Sequence, residues 1–259
     1  MVILIDIGNS NIVFATSDGN QVFDTYRIVS DLSKSSDEYY LSFKGIIDFN
    51  NINTVVISSV VPQLTLILKE MLEKYYNIKP LIISKGIKTG INVKTDNPKE
   101  VGSDLICACA GAVFNNIHTG LIIDLGTANK LIYMKNKVIM GVVISPGVRI
   151  SINALVTNTA LLPDIDLEVP KKELGTNTIL CMQSGVTYGT VFQIDGFIKR
   201  IKEEVNDPDL KIIATGGLAN LIIPHCTEKI EVNDKLVLEG ILEIFKRNIY
   251  IEFWFFFIN

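Results

Sequence analysis

A short apolar run ending in a polar, glycine-bearing tip occurs twice in this chain. Leu121-Ile-Ile-Asp-Leu-Gly-Thr-Ala-Asn129 echoes Leu4-Ile-Asp-Ile-Gly-Asn-Ser-Asn11, with Asp124 matching Asp6, Gly126 matching Gly8 and Asn129 matching Asn11. Each copy is a short apolar run that stops at a polar, glycine-bearing tip and is followed by further strand-like residues. A duplication spaced by about half the chain implies two similar domains facing each other across a cleft. The expected division is 1–117, 118–248 and an atypical apolar tail over 249–259.

The rest of the chain alternates strand-like and helix-like segments, an α/β pattern. Strands are expected at Val2–Ile7, Asn11–Thr16, Gln21–Ile28, Thr54–Ser58 and Lys211–Ala214. Asp18-Gly19 gives the hairpin turn between the second and third of these. Helices are expected at Asp37–Ile47, Leu64–Tyr76, Val101–Phe114 and Lys235–Arg247. The 101–114 segment carries Ala and Gly on one face.

Composition narrows the function classes. Net charge is -4 and no dense Lys/Arg block exists, so no nucleic-acid partner is expected. The N-terminus lacks a basic leader. The tail Ile249-Tyr-Ile-Glu-Phe-Trp-Phe-Phe-Phe-Ile-Asn259 is shorter than the roughly 20 residues that span a bilayer. It reads as a packed strand, an interaction tail or a coding artefact, and no membrane partner is expected. Cys107, Cys109, Cys181 and Cys226 form no C-x-x-C pair, and His118 and His225 are the only histidines, which argues against a zinc site. Cys107 and Cys109 sit in an apolar stretch and read as buried free thiols, which points to a reducing, cytoplasmic setting.

The two tips carry the chemistry. Around Gly8, successive backbone N–H groups are able to face an anion, provided glycine supplies close approach and unusual φ. Asn9, Ser10 and Asn11 add donors for phosphate oxygens, and Asp6 offers a carboxylate for hydrated Mg²⁺. Read alone, the segment is equally an Asn/Gly turn. The second copy, Asp124 to Ala128, makes a pair of phosphate clamps the better reading. Thr215-Gly216-Gly217 after a strand suits backbone lying flat on a planar ligand, or simply ends the strand. Asp104 opens the 101–114 helix, either as a helix cap or as a carboxylate that accepts a proton from an attacking hydroxyl.

Many short motifs in one order make the pattern specific. They are Asp6-Ile-Gly-Asn9, Ile57-Ser-Ser-Val-Val-Pro62, Asn97-Pro98 with Val101-Gly-Ser-Asp104, and Asp124-Leu-Gly-Thr-Ala128. Pro146-Gly147, Thr159-Ala-Leu-Leu-Pro163, Asn177 to Gly185, Gly189, Ile194-Asp-Gly196 and Thr215-Gly-Gly217 follow. This series, over roughly residues 1–247, resembles the type III pantothenate kinases of the actin/hexokinase-like superfamily. The resemblance implies two duplicated ribonuclease-H-like domains and ATP-dependent phosphorylation of pantothenate to 4'-phosphopantothenate, the first step toward coenzyme A. It implies Asp104 as the general base. Asp6, Ile7, Gly8, Asn9, Ser10, Asn11, Ile12, Val13 and Thr127 would contact ATP. Gly102, Ser103, Asp104, Leu105 and Thr178 would contact pantothenate, and Asp124 would hold a monovalent cation, K⁺ or NH₄⁺. It also implies a homodimer with the substrate pocket at the interface.

Three departures stand against the pattern. Leu105 replaces an Arg, Thr95 replaces a Tyr, and Asn129-Lys130 replaces Thr-Thr. Lys130 brings a positive charge to the second tip, which either offsets a lost charge or blocks the cation site. The alternative reading is therefore a catalytically impaired homologue that acts as a nucleotide-binding or regulatory accessory protein.

Overall fold

The computed structural model describes the backbone of residues 1–258 and the side chains of residues 1–249. Its chain divides into two compact units. The first comprises Met1–His118, Asn136–Ile139 and the chain from Lys235 onward, and the second comprises Thr119–Lys135 and Met140–Asp234.

The first unit is built on a five-stranded sheet of order β3-β2-β1-β4-β5. The strands are β1 (Val2–Ile7), β2 (Asn11–Ser17), β3 (Val22–Val29), β4 (Thr54–Ser59) and β5 (Leu81–Ile82). β1, β2 and β3 form an antiparallel meander, and β4 joins β1 in parallel with Asp6 opposite Ser58. The apolar runs that mark these strands are fully buried at Ile3, Ile5, Ile7, Val55 and Ile57. Helices α1 (Ser36–Lys44) and α2 (Pro62–Tyr76) add Tyr39, Phe43, Leu64, Leu68 and Met71 to that core. Ser35 and Glu38 start α1 with a capping box, and Pro62 starts α2 at its first turn. A short β6 (Asn92–Val93) pairs in parallel with Val138 and Ile139.

Helix α3 (Ser103–Phe114) explains its own small-residue face. It packs on α7 (Leu236–Ile258), and both helices are stripped of side chain where they meet. A Cβ on Gly111 would fall into the Leu236 carbonyl, and one on Gly240 into the Cys107 carbonyl. This contact is why the helix from Lys235 onward belongs to the first unit and not, as the sequence division had it, to the second. Asn248 ties the middle of α7 to the segment around Lys88: Nδ2 donates to the Lys88 carbonyl at 3.1 Å, and Lys88 N–H donates to Asn248 Oδ1 at 3.2 Å. The backbone of the apolar tail continues this helix to Ile258 and forms no strand. Its side chains from residue 250 lie outside the described residues.

In the second unit the strand order is β11-β10-β7-β8-β9. These are β7 (Gly120–Leu125), β8 (Ala128–Lys135), β9 (Val138–Pro146), β10 (Ile212–Thr215) and β11 (Glu231–Val232). β9 opens in the first unit and continues into the second from Met140. Helices α4 (Val148–Asn158), α5 (Thr178–Val205) and α6 (Ala219–Ile222) complete the unit. Val148, Ile152, Val186, Val191, Ile194 and Ile198 pack with Leu121, Ile123 and Ala214. Among the described residues no helix is long and apolar enough to cross a membrane.

Candidate active site

The first hairpin tip is a braced turn. Gly8 N–H donates to the Asn11 carbonyl at 3.0 Å. Ser30, just beyond β3, holds the tip from behind. Its Oγ donates to the Gly8 carbonyl at 2.7 Å and its N–H to the Ser10 carbonyl at 3.0 Å. Gly8 is not among the positive-φ glycines. Its value is close approach, since a Cβ there would lie 3.2 Å from the Asn11 carbonyl. The expectation of an unusual φ is therefore corrected, and Gly8's own N–H closes the turn. Asn9 and Ser10 are exposed at the tip, while Ile7 and Ile12 are buried beneath it as register partners.

At the same end of the first sheet lies the start of α3. Ser58, opposite Asp6, donates from Oγ to Ser103 Oγ at 3.2 Å, and Ser103 Oγ donates to the Ser59 carbonyl at 2.9 Å. These bonds fix the α3 N-terminus on β4. Asp104, one residue on, is partly exposed, and its Oδ1 accepts from Leu105 N–H at 2.9 Å. The N-cap position belongs to Gly102, with no side-chain cap bond, so Asp104 does not cap this helix. Asp6 and Asp104 both bear on the buried Cys107 thiol, which burial first, and then their negative charge, pushes above its ordinary value. Asp6 lies opposite Ser58, and Ser58 bonds Ser103, the residue that precedes Asp104. Leu105 is 7% exposed and its side chain belongs to the interior. Thr95 turns a buried Oγ1 inward with no hydrogen-bond partner among the described residues.

The second hairpin is one residue shorter between its register pairs. Leu125 stands opposite Asn129 and Asp124 opposite Lys130. Asn129 therefore takes the place that Ile12 has in the first hairpin, and the sequence match to Asn11 is offset by one position. Asn129 is buried, with Nδ2 donating to the Pro146 carbonyl at 3.3 Å. Thr127 is exposed at the tip. Two glycines press on this turn from other elements. A Cβ on Gly147 would enter the Gly126 and Thr127 carbonyls, and one on Gly216 would lie 2.6 Å from the Leu125 backbone. Gly216 adopts φ +97°, which favours glycine. This is a structural reason for the Pro-Gly and Gly-Gly motifs that spacing alone left open.

Asp124 was expected as the ligand of a monovalent cation. Its Oδ2 instead accepts from Lys130 Nζ at 2.9 Å, in an ion pair whose side chains are 16% and 19% exposed. A second unit charge beside that ammonium meets repulsion that water screens little. The residues present do not fit a resident monovalent cation at Asp124.

Thr178 is the first residue of α5, capped by Asn177 Oδ1, which accepts from Leu180 N–H at 2.9 Å. It lines a cavity of about 580 Å³ in the second unit with Leu155, Leu162, Gly175, Cys181 and Met182. Within the Asn177 to Gly185 motif, the family resemblance implies a substrate contact for Thr178 only. Cys181, one helical turn on, is exposed on the same wall and was not anticipated.

Comparison with known proteins gives these sites a context. A family model described as type III pantothenate kinase matches residues 2–200. The type III pantothenate kinase of Acholeplasma laidlawii is 52% identical over 96% of this chain and 100% of its own length. That of Halalkalibacterium halodurans is 40% identical over 96% and 100%. Among solved structures, a candidate Baf family transcriptional activator from Campylobacter jejuni superposes with a TM-score of 0.60 at 19% identity, over 95% of this chain and 98% of that one. A candidate 2-dehydro-3-deoxygalactonokinase from Sinorhizobium meliloti gives 0.57 at 10% identity, over 95% and 99%. These likenesses carry the duplicated α/β fold, and the sequence matches carry the membership: the chain belongs to the type III pantothenate kinase family.

Proposed function

We propose that this protein transfers the γ-phosphoryl group of MgATP to the primary hydroxyl of pantothenate, giving 4'-phosphopantothenate. The observation that carries the reading is 52% identity, over the full length of a relative, to a protein of that name. The local arrangement supports it. Phosphoryl transfer needs positioned phosphates, neutralised charge and a base for the incoming hydroxyl. In the first unit, the tip Asp6–Val13 supplies phosphate contacts, and Asp6 is a hard oxygen donor suited to the Mg²⁺ that arrives with ATP. Asp104, held by the Ser58–Ser103–Ser59 bonds, accepts the hydroxyl proton as the new O–P bond forms and the ADP oxygen leaves. In the second unit, Thr127 contacts ATP and Thr178 contacts pantothenate.

Gly102, Ser103 and Leu105 complete the expected substrate contacts around Asp104. Leu105 offers packing where an Arg would offer paired donors. A homodimer that completes the pantothenate pocket is consistent with the apolar side chains exposed near α5, namely Leu161, Leu174, Ile179 and Phe192. Cysteines that are all free accord with a cytoplasmic location. The reading is tested by supplying purified protein with MgATP and measuring ADP. Release that requires pantothenate supports it, and release indifferent to pantothenate refutes it.

A further inference from the structure

Asp124 and Lys130 face each other directly across the β7–β8 ladder, on the strands that lead into and out of the second phosphate tip. Their pairing at 2.9 Å is largely shielded from solvent. Lysine's ammonium is a compact point charge with several rotatable N–H donors. One of these donors satisfies Asp124 Oδ2.

We propose that the Lys130 ammonium is a tethered replacement for a monovalent cation, so that nucleotide binding and turnover in this protein need no K⁺ or NH₄⁺. The proposal rests on reading the 124–130 hairpin as a phosphate site. A covalently held charge has two consequences that a dissociable ion does not. It is present at every salt composition, and it neutralises Asp124 before the polyphosphate arrives. The phosphates then meet a neutralised pair instead of a bare carboxylate, which would repel them. The Asn129-Lys130 departure is in this light a change of device and leaves the phosphate tip functional.

The test uses the full chain and the non-hydrolysable analogue AMPPNP with Mg²⁺. Affinity is measured by calorimetry in buffers whose monovalent cation is either choline or K⁺, at matched ionic strength. The wild-type affinities should agree within about twofold. In Lys130→Thr, and in Lys130→Ala as a second variant, affinity in choline should fall by about tenfold, the scale of a typical site-to-site coupling. K⁺ should restore much of it in Lys130→Thr, where a hydroxyl is again available. A wild-type affinity that rises about tenfold or more when K⁺ replaces choline overturns the proposal, whatever the variants do. So does a Lys130 variant that binds as tightly as wild type in choline. Failure of the kinase reading alone looks different: ADP release would ignore pantothenate while the AMPPNP affinities still followed the expected pattern.

Discussion

Gly102 and Asp104 are fitted to each other at the start of α3, because a Cβ on Gly102 would overlap the Asp104 carboxylate. The missing side chain is what allows Oδ1 to settle on Leu105 N–H. The atom in the way is the end of a rotatable side chain, so Gly102→Ala should shift the carboxylate and leave the fold intact. We expect kcat to fall by about tenfold to a hundredfold, less than full loss of a general base, with the melting temperature nearly unchanged. Unchanged kcat in a folded Gly102→Ala protein would show that the carboxylate's position is unimportant.

Gly147 makes a different kind of contact. There the obstruction is the backbone of the Gly126–Thr127 turn, which has no rotamer to yield. Gly147→Ala should cost about 1–3 kcal/mol in denaturant unfolding and also weaken nucleotide binding, since the displaced turn carries Thr127. Gly240→Ala supplies the contrast. It obstructs the α3–α7 contact against the Cys107 carbonyl and should destabilise by a similar or larger amount. Once allowance is made for the unfolded fraction, its nucleotide affinity should remain unchanged.

The cysteines report on both packing and site. Burial raises the Cys109 thiol to about 12, and raises the partly buried Cys226 to about 12 as well. Cys107 moves in the same direction for the same first cause. Cys181 is exposed beside Thr178. A thiol reagent at neutral pH should therefore modify Cys181 first, and pantothenate should slow that modification. Unfolded thiols ionise near the ordinary value of 9.0, while the buried ones stay protonated. The folded state then binds more protons, so stability should be full below that pH and decline as pH rises above it. Rapid labelling of Cys107 or Cys109 in the native protein would contradict this packing.

The sequence announced its strands well because their apolar runs are short, β-branched and punctuated by glycine. It announced the tips through their repetition. It hid what depends on three-dimensional approach. The small face of α3 was visible at Ala108, Ala110 and Gly111, but nothing local said that α7 would fill it. Helix α5, 28 residues long, was not delimited, because its Thr- and Gly-rich middle has weak helix propensity and tertiary packing decides its length. Lys130 was visible as a departure, but its pairing with Asp124 needed the β7–β8 register. A loop one residue shorter than its counterpart shifts every cross-strand partner, and the motif match alone conceals that shift.

Ser103 ties the two levels together. Ser103→Ala removes the bond to the Ser59 carbonyl and leaves Ser58 without its acceptor. A loss of about 1 kcal/mol in stability is expected, with a larger proportional loss in kcat than in nucleotide affinity. Equal losses in both would indicate a purely structural role.

The most direct measurement compares wild type with Asp104→Asn in single-turnover transfer from labelled ATP to pantothenate. The amide keeps the shape and removes the proton acceptor. Wild type should form phosphopantothenate, and Asp104→Asn should do so about a hundredfold to ten-thousandfold more slowly while binding MgATP as before. Transfer at the wild-type rate by Asp104→Asn would contradict the assignment of Asp104 as the base.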